Sequence, residues 1–488
     1  MRDKIRFVQN GRVRELENVD PTQTVLNFLR YIDAETGTKE GCAEGDCGAC
    51  TVVLGELKDG DVEYQAVNAC IQFLPMLDGK ELITVENLKS KDGTLHPVQQ
   101  AMVEANGSQC GFCTPGFVMS IFAELHGRNS QELSDINNVL AGNLCRCTGY
   151  GTIIDAAQSV ALQAPADHIH ARRALTSALL SELQQDDSLA LAQDSRRYYA
   201  PKTSSELADL IDQYPDATIL AGATDIGLWV TKQHRQLDNI IYVGNVTELK
   251  ELNDDGEYLN IGAAVTYSHA WKALADLNPD LGEIVRRIAS TQIRNSGTIG
   301  GNVANGSPIG DMPPPLIALN ARLILRSKQG ARTIALEDFF IEYGRQDLKT
   351  GEFVEAFQLP LKNESAIFKA YKISKRFDQD ISALCGAFNL VLDGNIVKDI
   401  RICYGGMAGT PHRAAKSEQY LQGKDWTLEN VQIAMTAMAE DYTPMSDMRA
   451  SQDYRMLAAQ NLLKKFFIET TDPTTLTRLV GHGRVAHA

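Results

Sequence analysis

Three cysteines fall within ten residues, in Gly41-Cys-Ala-Glu-Gly-Asp-Cys-Gly-Ala-Cys50, and a fourth, Cys70, follows after one expected strand pair. Cys42, Cys47 and Cys50 are spaced C-x4-C-x2-C, a spacing that [2Fe–2S] clusters use. The reason is geometric. A short loop must aim three thiolates inward, and Gly41, Gly45 and Gly48 let backbone N–H groups turn toward sulfur with no Cβ in the way. Those amides also offset the negative charge of a bound cluster. The competing reading is structural zinc, which more often uses two C-x2-C knuckles.

A second set follows, Cys110-x2-Cys113 and Cys145-x-Cys147. Taken alone, C-x2-C suits zinc or redox work, whereas C-x-C is unusual for tetrahedral zinc. The N-terminus, Met1-Arg-Asp-Lys-Ile-Arg6, lacks an apolar signal core, and no run of 18 apolar residues occurs to cross a membrane. A cytoplasmic chain is expected, where ten cysteines point to metal rather than disulfides. The formal charge of −15 argues against nucleic acid as a partner, because phosphate contacts need a basic surface. Cys385 and Cys403 lie on expected strands outside both sets and read as small core residues.

With 488 residues the chain has room for about three domains at roughly 150 residues each. Residues 5–9 and 12–16 flank Asn10-Gly11, a type I′ hairpin signal. Residues 24–30 read as a short helix, and 51–57, 64–70 and 82–85 as strands. Together residues 1–87 form a small mixed sheet crossed by one helix, a β-grasp ferredoxin-like module. Residues 88–163 turn helical (96–105, 114–126, 133–141, 153–162), with Thr114 as N-cap and Pro115 first in its helix. The second cysteine set lies on two loops between these helices. Residues 164–196, rich in Ala, Gln, Asp and Ser, read as a partly helical linker.

From residue 197 strand and helix signals alternate: 206–213 and 226–232 helical, 218–220, 240–243 and 258–261 extended. Leu220-Ala-Gly-Ala-Thr-Asp-Ile226 sits between a strand and a helix, where small residues let amides approach a pyrophosphate. It is not G-x-G-x-x-G, so no Rossmann site is indicated, and a plain strand–turn–helix reads equally well. Residues 294–311, rich in Gly, Asn and Ser, read as a long functional loop. After a polar break at 362–365, residues 366–373, 383–392 and 396–404 read as strands, the last two joined at Asp393-Gly394. Residues 427–439 and 451–467 read as helices, and the last twenty or so as frayed.

Glu44-Gly-Asp-Cys-Gly-Ala-Cys-Thr51, Gln109-Cys-Gly-Phe-Cys-Thr-Pro-Gly116 and Gly142-Asn-Leu-Cys-Arg-Cys-Thr-Gly-Tyr150 resemble the iron–sulfur segments of the molybdenum hydroxylases, the xanthine dehydrogenase family, over about residues 1–160. The resemblance implies one [2Fe–2S] cluster on each cysteine set, with the helical module's cluster nearer a molybdenum cofactor and Gln109 close to its pterin. Residues 197–365 resemble the family's FAD domain, of vanillyl-alcohol-oxidase-like fold, and 366–480 its small C-terminal α+β domain. The first flavin loop would be Leu220, Ala221, Gly222, Ala223, Thr224, Asp225 and Ile226, with Gly222-Ala-Thr-Asp225 where the family commonly has Gly-Asn-Thr-Glu. The second would supply Thr298, Ile299, Gly300, Gly301, Asn302, Asn305 and Ser307. Asp311 matches an acidic FAD ligand, and Val354, Lys372 and Tyr343 match positions at the flavin. Their plain alternatives are a core valine, a surface salt-bridge lysine and a core tyrosine.

The order cluster, cluster, FAD then implies the electron-transfer small subunit of a two-subunit enzyme. Its partner would be a molybdenum-cofactor large subunit, in an α2β2 heterotetramer. Electrons from hypoxanthine or xanthine oxidation to urate would pass from molybdenum through the helical-domain cluster, the β-grasp cluster and FAD to NAD+. No base or nucleophile for purine chemistry is expected on this chain. The other readings are the same component for an aldehyde or aromatic heterocycle, a zinc-stabilised scaffold, or a flavin-free ferredoxin.

Overall fold

A computed structural model describes residues 1–127, 135–161, 166–361, 365–472 and 474–478. The architecture is α+β and divides into two compact units, Met1–Val246 with Ser290–Gly297, and Thr247–Ala289 with residues 298–488.

The first unit opens with the hairpin Ile5–Gln9 and Arg12–Leu16, paired antiparallel with Gln9 opposite Arg12. Asn10 and Gly11 take φ of 54° and 70°, the two positive values that a type I′ turn requires. The hairpin joins a five-stranded sheet in which Ile5–Gln9 runs parallel to Glu81–Ile83, and Glu81–Ile83 pairs with Thr51–Lys58, itself paired with Asp61–Asn68. The crossing helix is short, Val25–Asn27 capped by Thr24, and continues as a π-turn over Phe28–Ile32. This is the expected β-grasp sheet.

The helices Pro97–Glu104, Thr114–Gly127, Ile136–Leu140 and Gly151–Ala161 follow. Thr114 is itself the first helical residue rather than the cap. The expected starts at 133–134 and the end at 162 lie outside the described residues, as do most of the polar break at 362–365 and the final residues 479–488. Phe117, Phe122, Ile153 and Val160 share one core with Val53, Val62 and Tyr64 of the sheet, so helices and sheet are packed, not merely tethered.

The stretch expected as a linker is built into this unit. It forms helices His168–Ala171 and Arg173–Gln184 and the strand pair Leu189–Gln193 and Arg196–Ala200. Thr176, Leu180 and Leu183 recur at helical spacing and are buried; three inward side chains among polar neighbours are enough to seat a helix. Arg196–Ala200 pairs parallel with Asn239–Tyr242, which pairs parallel with Thr218–Leu220. Leu220, Ile240 and Tyr242 share a core with Val52, Leu54 and Ile71. The first strands and helices beyond residue 197 therefore pack with the cysteine modules.

The second unit contains a five-stranded sheet, Leu252–Asp254, Tyr258–Gly262, Phe353–Pro360, Arg322–Ser327 and Gly330–Ala335 in spatial order. It also holds the antiparallel sheet Ala366–Ile373, Leu384–Asp393, Ile396–Gly405 and His412–Arg413. Helices Ala415–Leu421, Leu428–Asp441 and Gln452–Thr471 cover this sheet, with Phe388, Tyr404, Trp426 and Phe466 at the centre of the core. Cys385 and Cys403 are buried, as expected of core cysteines. Residues 294–311 are not one irregular loop. Helix Thr291–Ser296, which belongs to the first unit, and helix Ile299–Ala304 together take up half of it, capped by Ser290 and Thr298. Side-chain caps offset the poor helix propensity of Gly and Asn there.

Candidate functional site

The first cysteine loop folds through left-handed turns at Ala43, Gly45 and Gly48. Cys42 Sγ accepts the amides of Asp46 and Cys47, both at 3.3 Å. The Cys42 thiol interacts with those of Cys47 and Cys70, and Cys70 with Cys50, so all four converge. The Cys47 thiol beside it and the surrounding amides hold Cys42 well below the usual thiol range. Glycine is required at two points. A Cβ on Gly41 would lie 2.6 Å from Cys47 Sγ, and one on Gly48 would lie 2.2 Å from the Gly142 carbonyl. Asn68 props the loop by donating to the Gly45 carbonyl at 2.8 Å.

The second set converges too: Cys110 with Cys147, and Cys113 with Cys145. Cys110 and Cys147 are exposed and Cys145 is buried. Burial, with the Cys145 thiol alongside, pushes the Cys113 thiol up to about 12. Burial opposes ionisation of Cys145, but the Thr148 hydroxyl and amide outweigh it and bring Cys145 down to about 7. Tyr150 Oη accepts the Cys145 amide at 3.0 Å. Gln109 is exposed beside Cys110. Two groups of four thiols, with N–H donors at sulfur, form a donor set that suits two iron–sulfur clusters.

The two loops are joined within this unit. The Leu144 amide donates to the Cys47 carbonyl at 3.0 Å, and Asn143 Nδ2 donates to the Gly48 carbonyl at 3.1 Å.

Of the expected flavin residues, Leu220 to Ile226 lie in the first unit, between Thr218–Leu220 and the helix Ile226–Thr231. That helix has barely two turns, so its dipole is weak and the loop's own amides must do most of any anion binding. Ala223 takes φ 60°. Gly222 passes so close to Ser296 that a Cβ would sit 1.8 Å from its carbonyl oxygen. Gln72 Nε2 donates to Ser296 Oγ at 3.0 Å behind this turn.

The remaining flavin residues lie in the second unit. Thr298 Oγ1 accepts the Gly301 amide at 2.9 Å, and the Ile299 and Gly300 amides bind the Val265 and Ala263 carbonyls. A Cβ on Gly300 would lie 2.4 Å from the Ala263 carbonyl. Ser307 Oγ accepts the Ile309 amide, and Asn305 is exposed at the end of its helix. Asp311 is buried, bonded to Lys372 Nζ at 2.6 Å and to the Ser382 hydroxyl. Lys372 is thus no surface lysine. Val354 is buried on its strand, whereas Tyr343 is 76% exposed and is not a core residue. Asn302 Oδ1 is buried and has no hydrogen-bond partner among the described residues; an orphaned amide oxygen at this loop suits a polar ligand such as FAD.

Sequence reasoning missed Ser382, Gln292 and a buried triad. His96 Nε2 and His126 Nε2 meet one oxygen of Asp167, at 2.9 and 2.8 Å. The Val98 amide donates to His96 Nδ1, which places that ring's proton on Nε2, facing the carboxylate. This arrangement is a hydrogen-bonded clamp; a metal ion would need the Nε2 lone pair that the proton occupies.

Four family models match in tandem: the 2Fe-2S iron-sulfur cluster binding domain over 7–74, the [2Fe-2S] binding domain over 84–158, the FAD binding domain in molybdopterin dehydrogenase over 192–362, and the CO dehydrogenase flavoprotein C-terminal domain over 369–470. The chain therefore carries two [2Fe–2S]-binding domains and an FAD-binding domain, and it belongs to the molybdenum hydroxylase family. Among its relatives, the xanthine dehydrogenase of Emericella nidulans is 31% identical over 90% of this chain and 36% of its own length. Xanthine dehydrogenase 1 of Arabidopsis thaliana is 30% identical over 94% and 39%. The chain spans somewhat over a third of the length of these curated relatives. A chain of the carbon monoxide dehydrogenase from Hydrogenophaga pseudoflava is 29% identical, with a TM-score of 0.53, over 55% of this chain and 94% of that one. A chain of quinoline 2-oxidoreductase from Pseudomonas putida 86, at 24% identity and a TM-score of 0.52 over 56% and 95%, shares the fold. Among the described residues no helix is long and apolar enough to cross a membrane.

Proposed function

We propose that this chain is the electron-transfer small subunit of a xanthine dehydrogenase, an oxidoreductase that oxidises hypoxanthine and xanthine to urate. Its partner is a molybdenum-cofactor large subunit, in an α2β2 heterotetramer, and its electron acceptor is NAD+. The observation that carries the reading is the joining of two four-cysteine sets by the Leu144–Cys47 hydrogen bond. Relatives named xanthine dehydrogenase support the substrate class.

Cys42, Cys47, Cys50 and Cys70 would hold one cluster, and Cys110, Cys113, Cys145 and Cys147 the other. Leu220 to Ile226, Thr298 to Asn302, Asn305, Ser307, Asp311, Tyr343, Val354 and Lys372 would bind FAD. When bound, the clusters supply one-electron redox chemistry and the flavin couples it to two-electron hydride transfer. The chain's part is to set their surroundings. The Asp46 and Cys47 amides at Cys42 Sγ, and Thr148 at Cys145, stabilise negative sulfur and so raise the potential of what those sulfurs bind. The exposed Cys110 and Cys147 put the helical module's set at the surface, where a partner subunit can approach it.

A second reading keeps the same cofactors but serves another substrate; the likeness to carbon monoxide dehydrogenase favours keeping it. The test is iron, acid-labile sulfide, FAD and molybdenum content of the co-purified complex, followed by NAD+ reduction with xanthine and with an aldehyde and heterocycle panel. Two clusters and one FAD per chain, with xanthine-driven NAD+ reduction, are expected. Zinc without flavin overturns the whole reading, and turnover of another substrate alone overturns the purine assignment.

A further inference from the structure

The short helix Thr291–Ser296 comes from far along the chain yet belongs to the cysteine-bearing unit. It bonds to both modules. Thr291 Oγ1 donates to the Asn138 carbonyl of the helical module at 3.0 Å, and Asn295 Nδ2 donates to the Ala66 carbonyl of the β-grasp sheet at 2.9 Å. Gln292 lies between them and is 1% exposed.

The Gln292 side-chain amide is the centre of a directional network. Its Nε2 lies 3.2 Å from Thr51 Oγ1, 3.1 Å from Ser120 Oγ and 3.1 Å from Asn143 Oδ1. The Thr51 hydroxyl donates to the Gly48 carbonyl at 2.6 Å, and the Ser120 hydroxyl donates to Asn143 Oδ1 at 2.7 Å. Both hydroxyl protons are committed, so both oxygens turn lone pairs toward Gln292. A primary amide has the two protons needed to fill them. One acceptor begins the strand after Cys50, the other sits on the helix after Cys113, and Asn143 lies two residues before Cys145. The residue opposite is Gly142, where a Cβ would come within 1.9 Å of Gln292 Oε1. Next to this network along both stretches of chain, the Leu144 amide donates to the Cys47 carbonyl, so the residue before Cys145 is bonded to a cysteine of the first set.

We infer that Gln292 is a positioning residue for electron transfer between the two clusters: its amide locks the two cysteine loops in one register. This rests on the reading of the eight cysteines as cluster ligands. Tunnelling and magnetic coupling both weaken steeply with distance, so the register sets both.

The test uses the complete complex. Wild type must first give two distinct [2Fe–2S] signals by electron paramagnetic resonance; if it does not, the functional reading fails before the inference is reached. Gln292→Met keeps the side-chain length and removes both protons. The expected result is full iron content, an altered spin–spin splitting between the reduced clusters, and inter-cluster transfer slowed about tenfold, because a misplacement of an ångström is costly where geometry sets a rate. Unchanged splitting and rate overturn the inference. If Gln292→Met does not load iron, Ser120→Ala, which leaves the amide but removes one acceptor, is read in the same way. Loss of iron in both variants also overturns it, because the network would then serve folding alone.

Discussion

Lys372 Nζ lies 2.6 Å from Asp311 Oδ2, with the lysine side chain 1% and the carboxylate 10% exposed. A third group, the Ser382 hydroxyl, takes the other carboxylate oxygen. Removing one partner leaves a buried charge uncompensated, so Asp311→Ala is expected to cost about 3–5 kcal/mol. Asp311→Asn with Lys372→Met should recover part of that loss. Chemical denaturation measures both, and FAD content should fall while iron stays constant.

Acid should loosen the His96–Asp167–His126 clamp. Burial lowers the His126 pKa, outweighing the nearby carboxylate, so the unfolded chain takes up a proton below about pH 6.5 that the folded one refuses, and stability falls from there downward. Asp167 adds to this. Burial raises its pKa, but the hydrogen bonds from His126 and His96 outweigh burial and hold it well below the carboxylate range. Its contribution is present above about pH 4 and is lost as pH falls further. Thermal melts across pH 3–8 check this: His126→Gln should flatten the upper limb and Asp167→Asn the lower one.

Gly48→Ala meets two obstacles. Its φ of 70° costs an L-residue about 1–2 kcal/mol, and its new methyl would press on the Gly142 carbonyl at 2.2 Å. The two cysteine loops should be pushed apart. Iron analysis is expected to show incomplete loading, and Gly60→Ala, at φ 84° with open space around it, serves as the strain-only control.

The ten cysteines should separate cleanly by substitution. Cys70→Ser is expected to remove about half the iron, one cluster of two. Cys403→Ser should leave iron intact, because Cys403 Sγ donates to the His412 carbonyl, outside both cysteine sets, and should cost about 1–2 kcal/mol of stability.

Local signals were legible in the sequence. Asn10-Gly11 dictates its hairpin, and the strand expected over 366–373 is Ala366–Ile373, because each rests on neighbouring residues alone. Residues 164–196 read as linker because their inward positions are few and the polar texture between them dominates any window. The helices within 294–311 were hidden by Gly and Asn, whose unfavourable propensity Ser290 and Thr298 offset. Gln292 stands just before that stretch, and its partners Thr51, Ser120 and Asn143 are 149 or more positions away. No periodicity reports a hydrogen bond of that sequence separation.

Because Ser290–Gly297 belongs with residues 1–246, synthesis order matters to this protein. A ribosome releasing about 5–20 residues per second exposes Thr51, Ser120 and Asn143 well before Gln292 exists. For roughly 2–9 s after Val246, the nascent chain must keep these polar groups wet and the two cysteine loops unlocked. Chain connectivity imposes one order: both cysteine loops are made before the late helix that completes their network.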